Sequence, residues 1–124
     1  MISPIQVHAL HDIMVQQFGG LQGVREEGLL LAAIERPFSG FGDHEFYPTP
    51  AEKAAAVFES VLKNHPLLDG NKRTGYVLMR LILMQFGQDI VASQDEKYDF
   101  VIAIAAGKME FSWIVEWIKT HLKN

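Results

Sequence analysis

Apolar residues recur at three- and four-residue spacing through most of this chain, the period of an amphipathic helix. Val7, Leu10, Met14 and Phe18 form the first such face, introduced by Ser3-Pro4-Ile5-Gln6 and stopped by Gly19-Gly20. A capping serine, a proline at the first helical position and a glutamine at the third are strong start signals. The second stretch, Val24 to Arg36, carries acids in its first turn and has Pro37 behind it. Thr49-Pro50-Ala51-Glu52 repeats the start chemistry for a third, whose buried face is Ala54, Val57, Phe58, Val61 and Leu62 and whose end delivers His65. The fourth, about Asn71 to Phe86 with Gly87 behind it, is apolar nearly all round, which marks a helix at the centre of a bundle. Ser93-Gln94-Asp95-Glu96 caps a fifth that ends at Gly107, and Phe111 to Leu122 forms a last one with Ile114, Trp117, Ile118 and Leu122 inward. No alternating strand longer than Asp89 to Ala92 interrupts the series, and no repeat, linker or low-complexity tract is found. The pattern predicts an all-α fold, a single-domain helical bundle of about six helices over residues 1–124 around a buried central helix.

Composition narrows this picture. With 124 residues and no cysteine, the chain must form its core without disulfides, and a domain of this size buries roughly 65–70% of its unfolded surface. The start, MISPIQVHALHDIMVQQ, has no basic region followed by a smooth apolar run, so no signal peptide is expected. The most apolar segment, Tyr76 to Phe86, is too short to span a bilayer and contains Arg80, so no membrane association and a cytoplasmic location are expected. Arg80 itself reads as a buried arginine paired with a carboxylate, because an unpaired buried charge is so costly. A formal charge of −4 argues against a broad nucleic-acid footprint and for no direct nucleic-acid binding. His8 and His11 stand one turn apart and could ligate a metal, but without further ligands nearby they read better as ordinary surface or partly buried histidines.

Two segments break the helical period. Residues Pro37 to Pro50, PFSGFGDHEFYPTP, form a loop of about 14 residues, a length at which loops in small domains are often functional lids. Its aromatics Phe38, Phe41, Phe46 and Tyr47 either stack on a base or grip an extended peptide, or else pin the loop to the core; the sequence leaves both open.

The other break, HPLLDGNKR from His65 to Arg73, concentrates the chemistry. Pro66 disfavours helical backbone at His65, and Gly70 releases the chain just ahead of the fourth helix. The new helix N-terminus offers free N–H groups and a positive dipole end to an anion, and Lys72 and Arg73 add charge where helices usually carry acids. His65 is the only plausible general base beside this anion site, and Asp69 the only nearby carboxylate. A hard cation such as Mg²⁺ binds through one or two carboxylates together with phosphate oxygens, so one aspartate beside a phosphate cradle suffices. The set fits phosphoryl or nucleotidyl transfer: backbone N–H groups of Gly70, Asn71 and Lys72 hold phosphate, Lys72 and Arg73 offset developing charge, Asp69 holds the metal, and His65 takes the proton of an attacking hydroxyl. The bland alternative is that His65 merely ends a structural turn. A Walker-type P-loop is excluded, since no glycine stands at the required place before GNK.

HPLLDGNKRT resembles the signature of the Fic/Doc superfamily. FGGLQGVREEGLLLAAIERP resembles the N-terminal block of its death-on-curing (Doc) branch, AEKAAAVFESVLKNHP the helix leading into the motif, and GKMEFSWIVEWI the closing helix. The resemblance implies the all-helical Fic-type bundle. The AMP-transferring branch reads H-x-F-x-[D/E]-G-N-G-R-x-x-R; here Lys72 replaces its last glycine and Tyr76 its second arginine, both as in the Doc branch, while Leu67 stands at the position of the phenylalanine. These departures imply that ATP lies in the opposite sense and that its γ-phosphate passes to a hydroxyl of a protein target, in Doc toxins a threonine of elongation factor Tu. No self-inhibitory [S/T]-x-x-x-E-[G/N] helix is present, so the resemblance implies silencing by an antitoxin with a DNA-binding half and a tail that folds as a helix on the toxin. Two other functions stand beside this one: protein adenylyl transfer of Fic type, and an inactive binding module gripping a peptide or antitoxin through its aromatic loop.

Overall fold

Among the described residues six α-helices form in the order the apolar periodicity predicts: α1 (Pro4–Phe18), α2 (Glu27–Glu35), α3 (Pro50–Asn64), α4 (Asn71–Gln85), α5 (Gln94–Ala105) and α6 (Phe111–Thr120). The structure, a computed structural model, describes residues 2–107 and 110–123; Lys108 and Met109, within the stretch read as leading into the closing helix, lie outside the described residues, as do Met1 and Asn124. The start signals act as read. Gln6 N–H donates to Ser3 Oγ (3.2 Å) while Ser3 N–H donates to Gln6 Oε1 (2.9 Å), and Ser93 and Glu96 reciprocate in the same way. The all-α bundle is thus the observed fold, and none of the described helices is long and apolar enough to cross a membrane.

Four departures have local causes. The second helix starts at Glu27 instead of Val24, because residues 23–26 pair with the His65–Arg73 segment: Val24 bridges Leu67, and the N–H groups of Arg25 and Glu26 both donate to Pro66 O (2.8 and 3.0 Å). The last helix stops at Thr120 because β4 (Leu122–Lys123) pairs antiparallel with β3 (Asp89–Ile90). The segment read as an aperiodic loop holds a 3-10 turn (Arg36–Phe38) and a small hairpin, β1 (Gly40–Phe41) with β2 (His44–Glu45). Arg80 is paired as expected, bidentately with Asp89 (3.0 and 2.8 Å), but its side chain is 38% exposed, so the pair lies at the surface.

The core centres on α3 and α4, and it is α3, with ten buried residues against six in α4, that is the more enclosed, although the apolar run marks α4 as the central helix. Ala54, Ala55, Val57, Phe58, Val61 and Leu62 of α3 meet Leu78, Met79, Ile82 and Leu83 of α4, all essentially without solvent contact. Gly75 sits at the crossing: a Cβ there would lie 2.7 Å from Leu62 Cδ1 and 3.3 Å from Val61 Cγ1. Leu62 is fully buried and has nowhere to swing. Gly75→Ala is therefore expected to destabilise by about 1–2 kcal/mol despite alanine's better helix propensity, since overpacking outweighs it; denaturant titration measures this, and a stabilised variant would contradict the crossing.

The hairpin is fastened to α3 by two cations. Arg36 donates to Tyr47 Oη (2.8 Å), Ala56 O (3.2 Å), Glu59 Oε1 (2.9 Å) and Ser60 Oγ (2.9 Å), and its guanidinium lies against the Tyr47 and Phe111 rings. Buried Lys53 bonds Glu45 and the Tyr47 carbonyl and faces the Phe38 ring. At the far edge, α5 and α6 close through stacked Phe100 and Trp117, and His121 stacks on Trp117 while bonding Glu96 Oε2 (2.8 Å).

The Ser93 N–H, reinforced by His121, pulls the Glu96 carboxyl down to about 2, and Arg80 holds Asp89 below its ordinary value. Carboxylates depressed in the folded state add stability above their unfolded pKa and lose it as pH falls through the folded value. Thermal stability is accordingly expected to drop between about pH 4.5 and about pH 2, and Glu96→Gln to show a shallower drop. Melting curves of equal acid sensitivity for the two proteins would remove Glu96 from this account.

Candidate functional site

The α3 helix runs out at Asn64, and His65 takes the left-handed conformation at its C-cap (φ +48, ψ 59). Among the described residues it alone does so without being glycine. Left-handed backbone costs a side-chain-bearing residue about 1–2 kcal/mol, and glycine usually stands at such helix ends. A histidine held there against local preference is the kind of strain found at working sites.

The hold is visible. Arg25 donates through Nε to His65 O (2.7 Å) and through Nη2 to Asn64 O (2.6 Å), filling two carbonyls that α3 leaves open. Leu68 N–H donates to Gly23 O (3.1 Å), so residues 23–26 brace the turn from one side. From within, the Asn71 side chain clasps Leu67, accepting from its N–H and donating to its carbonyl, each at 3.0 Å. His11, buried in α1, donates from Nε2 to Asp69 O (2.7 Å); a carbonyl only accepts, so that nitrogen carries the proton. The Asp69 carboxylate is oriented by Leu21 N–H (3.2 Å to Oδ2) and Gly70 N–H (2.8 Å to Oδ1). Gly20 makes room for it, since a Cβ there would come within 2.7 Å of Asp69 Oδ2.

Gly70, at φ +74, caps α4 without any side-chain hydrogen bond to the helix start. Its own N–H is taken by Asp69, so the donors open to an anion are the N–H groups of Asn71, Lys72 and Arg73, one residue further on than the set read from the sequence. The Asn71 side chain is spent on the loop, leaving its backbone for a ligand. Lys72 and Arg73 are exposed and have no carboxylate partner among the described residues; the Arg73 guanidinium stacks 4.3 Å over the Phe18 ring.

His65, Leu68, Asp69, Gly70, Asn71, Lys72 and Arg73 line one cleft of about 350 Å³. The residues singled out in sequence for base, metal and phosphate roles thus share a single concavity. Phe41, Phe46 and Tyr47 are not among its lining residues. Tyr47 and Phe38 pin the hairpin, while Phe41 is 83% exposed and Phe46 half-exposed. The pinning reading of the aromatic loop therefore holds for Phe38 and Tyr47. His8 and His11 do not form a metal pair: His8 bonds Glu27 (2.9 Å), His11 serves the Asp69 carbonyl, and no cluster of three histidines or acids that could hold a metal occurs among the described residues. A cation at this cleft would need a ligand's oxygens besides Asp69, whose exposed carboxylate accepts two N–H groups and keeps lone pairs for one. The donor set fits Mg²⁺ bound together with a polyphosphate.

Sequence reasoning missed Arg25 and the task of His11. The three glycines of FGGLQG hint at close backbone approach, and a Cβ at Gly20 or Gly23 would indeed crowd Asp69 or Leu68. Nothing in the helical period marks Arg25.

A family model described as the Fic/DOC family matches residues 2–83, which include the whole cleft. The chain is 41% identical over 78 residues to "Toxin Doc" of Mycolicibacterium smegmatis, a match covering 63% of this chain and 60% of that protein. It is 28% identical over 118 residues to "Protein kinase doc" of Escherichia phage P1, covering 95% of this chain and 92% of the relative. The chain thus spans about three fifths of the first relative and nearly all of the second.

Proposed function

The chain belongs to the Fic/DOC family, and from that premise we propose that it is the toxin of a type II toxin–antitoxin pair, a protein phosphotransferase that blocks growth. It would move the γ-phosphate of ATP, in the presence of Mg²⁺, to a serine or threonine hydroxyl of a translation protein such as elongation factor Tu. The names of the two relatives, a toxin and a protein kinase, support this reading. The observation that carries it is the cleft itself, in which an exposed imidazole, an oriented carboxylate, two cations without a carboxylate partner among the described residues and a helix start with no side-chain cap converge.

The chain's own residues account for the step. The N–H groups of Asn71, Lys72 and Arg73 take the terminal phosphate, and the Lys72 and Arg73 side chains offset the charge that gathers on its oxygens. His65 accepts the proton of the target hydroxyl as its oxygen bonds to the γ-phosphorus and the bond to the β-phosphate bridging oxygen breaks, releasing ADP. Asp69 would hold Mg²⁺, which when bound neutralises phosphate charge. Where the adenylyl-transferring pattern has glycine and arginine, Lys72 adds bulk and Tyr76 offers only a phenol, whose pKa burial pushes up to about 12. That favours phosphate over AMP as the transferred group.

Silencing would fall to an antitoxin, DNA-binding at one end and laying a helical tail on this chain at the other. Phe41 and Phe46 on the hairpin are candidate contacts for the protein substrate, and the exposed strand pair could accept an extended segment.

The test is to incubate the purified protein with cell extract and ATP labelled at the γ- or the α-phosphate. Transfer of the γ-label alone is expected. Movement of the α-label would replace the reading with adenylyl transfer, and movement of neither, with tight antitoxin binding, would leave a binding module.

A further inference from the structure

The end of α3 lacks a donor that helix ends of its kind commonly have. A left-handed residue there is often followed by one whose N–H reaches back to the last turn. The follower here is Pro66, which has no N–H, so that bond cannot form, and the backbone closes the turn with His65 N–H on Val61 O (3.1 Å). The last carbonyls of α3 are left for a side chain to fill.

Arg25 fills them from outside the cleft. It is not among the cleft's lining residues and stands exposed on the connection between α1 and α2, brought to the turn by its own N–H on Pro66 O (2.8 Å). Its guanidinium has no carboxylate partner among the described residues; Nε donates to His65 O (2.7 Å) and Nη2 to Asn64 O (2.6 Å). Those two carbonyls belong to successive peptide planes, one before the His65 α-carbon and one after it. Peptide planes are rigid, so fixing both fixes φ and ψ of His65 and with them the direction of its Cα–Cβ bond. The ring has no such hold of its own. The imidazoles of His8, His11 and His121 are hydrogen-bonded, whereas among the described residues no hydrogen bond holds that of His65.

We infer that Arg25 is the positioning residue of the general base: a forked clamp on the peptide planes either side of His65 that aims the imidazole into the cleft from outside its lining. This rests on the phosphotransfer reading above and adds the residue that holds His65 at φ +48. The fork is essential to it, since lysine presents a point charge and cannot span two carbonyls in one fixed plane.

The test joins single-turnover transfer of the γ-label to NMR of the His65 backbone. Arg25→Ala is expected to slow transfer about 10–100-fold, the scale of a misplacement near 1 Å. Calorimetric binding of a non-hydrolysable ATP analogue with an imido β–γ bridge, in the presence of Mg²⁺, should stay within about twofold, because the clamp acts on the chemical step. On the His65→Ala background the same change should cost nothing further, since a residue acting only through the imidazole has nothing left to act on. Arg25→Lys should recover part of the rate at most, and it carries the same comparison should Arg25→Ala unfold. In the spectrum, the His65 Cα and Cβ shifts should leave the left-handed range in Arg25→Ala while the Lys72 and Arg73 amides keep theirs. A wild-type rate in Arg25→Ala, an equal loss with and without the His65 ring, or an unchanged His65 backbone each overturns the clamp with phosphotransfer intact. Wild-type protein that transfers no γ-label overturns the phosphotransfer reading and the positioning role together, while the shifts still report whether Arg25 fixes the turn.

Discussion

His65→Ala is expected to lower phosphoryl transfer by about 10²–10⁴-fold, the usual cost of losing a general base, and to abolish growth arrest when the protein is expressed without its partner. His65→Gly should lose as much activity and yet be more stable than wild type. The reason is the backbone: at φ +48 the side chain is carried at a cost that glycine does not bear. After glycine's own unfolded-state entropy is set against that relief, about 1 kcal/mol of gain is expected. Single-turnover label transfer and denaturant melts on the two variants separate chemistry from strain. Undiminished arrest by His65→Ala would rule the mechanism out, and a His65→Gly protein less stable than His65→Ala would contradict the strained cap.

His11→Ala should be the most damaging change away from the cleft's lining. Removing this buried ring leaves a void and an unbonded Asp69 carbonyl, together about 2–4 kcal/mol. Because that carbonyl belongs to a residue that lines the cleft, the turn should loosen and kcat should fall by more than KM rises. His11→Gln, which keeps a donor, should recover part of both losses. If His11→Ala lowers stability but leaves kcat untouched, His11 is only a core residue.

Much of this was legible because local signals agreed with the fold. The serine and threonine caps at Ser3, Thr49 and Ser93 set helix starts that the structure reproduces. His65-Pro66 and Gly70 marked a bend between two helices, and the residues read as its chemistry do line one cleft. What escaped depends on pairing between distant segments. Residues 24–26 look helical by period, but they find their hydrogen-bond partners in Pro66 and Leu67, some forty residues away. His11 is an unremarkable helical histidine until α1 packs beside Asp69. The hairpin at Gly40–Glu45 is too short for alternation to show, and it is pinned by Arg36 and Lys53 from neighbouring elements.

The account turns on a terminal phosphate docking at the start of α4, and amide NMR reports on that directly. On titrating the isotope-labelled protein with the non-hydrolysable ATP analogue and Mg²⁺, saturable shifts are predicted for the Asn71, Lys72 and Arg73 amides together with the His65 ring, and they should vanish in Lys72→Ala. Shifts confined to the hairpin or to α6, with the α4 amides unmoved at saturation, would contradict it.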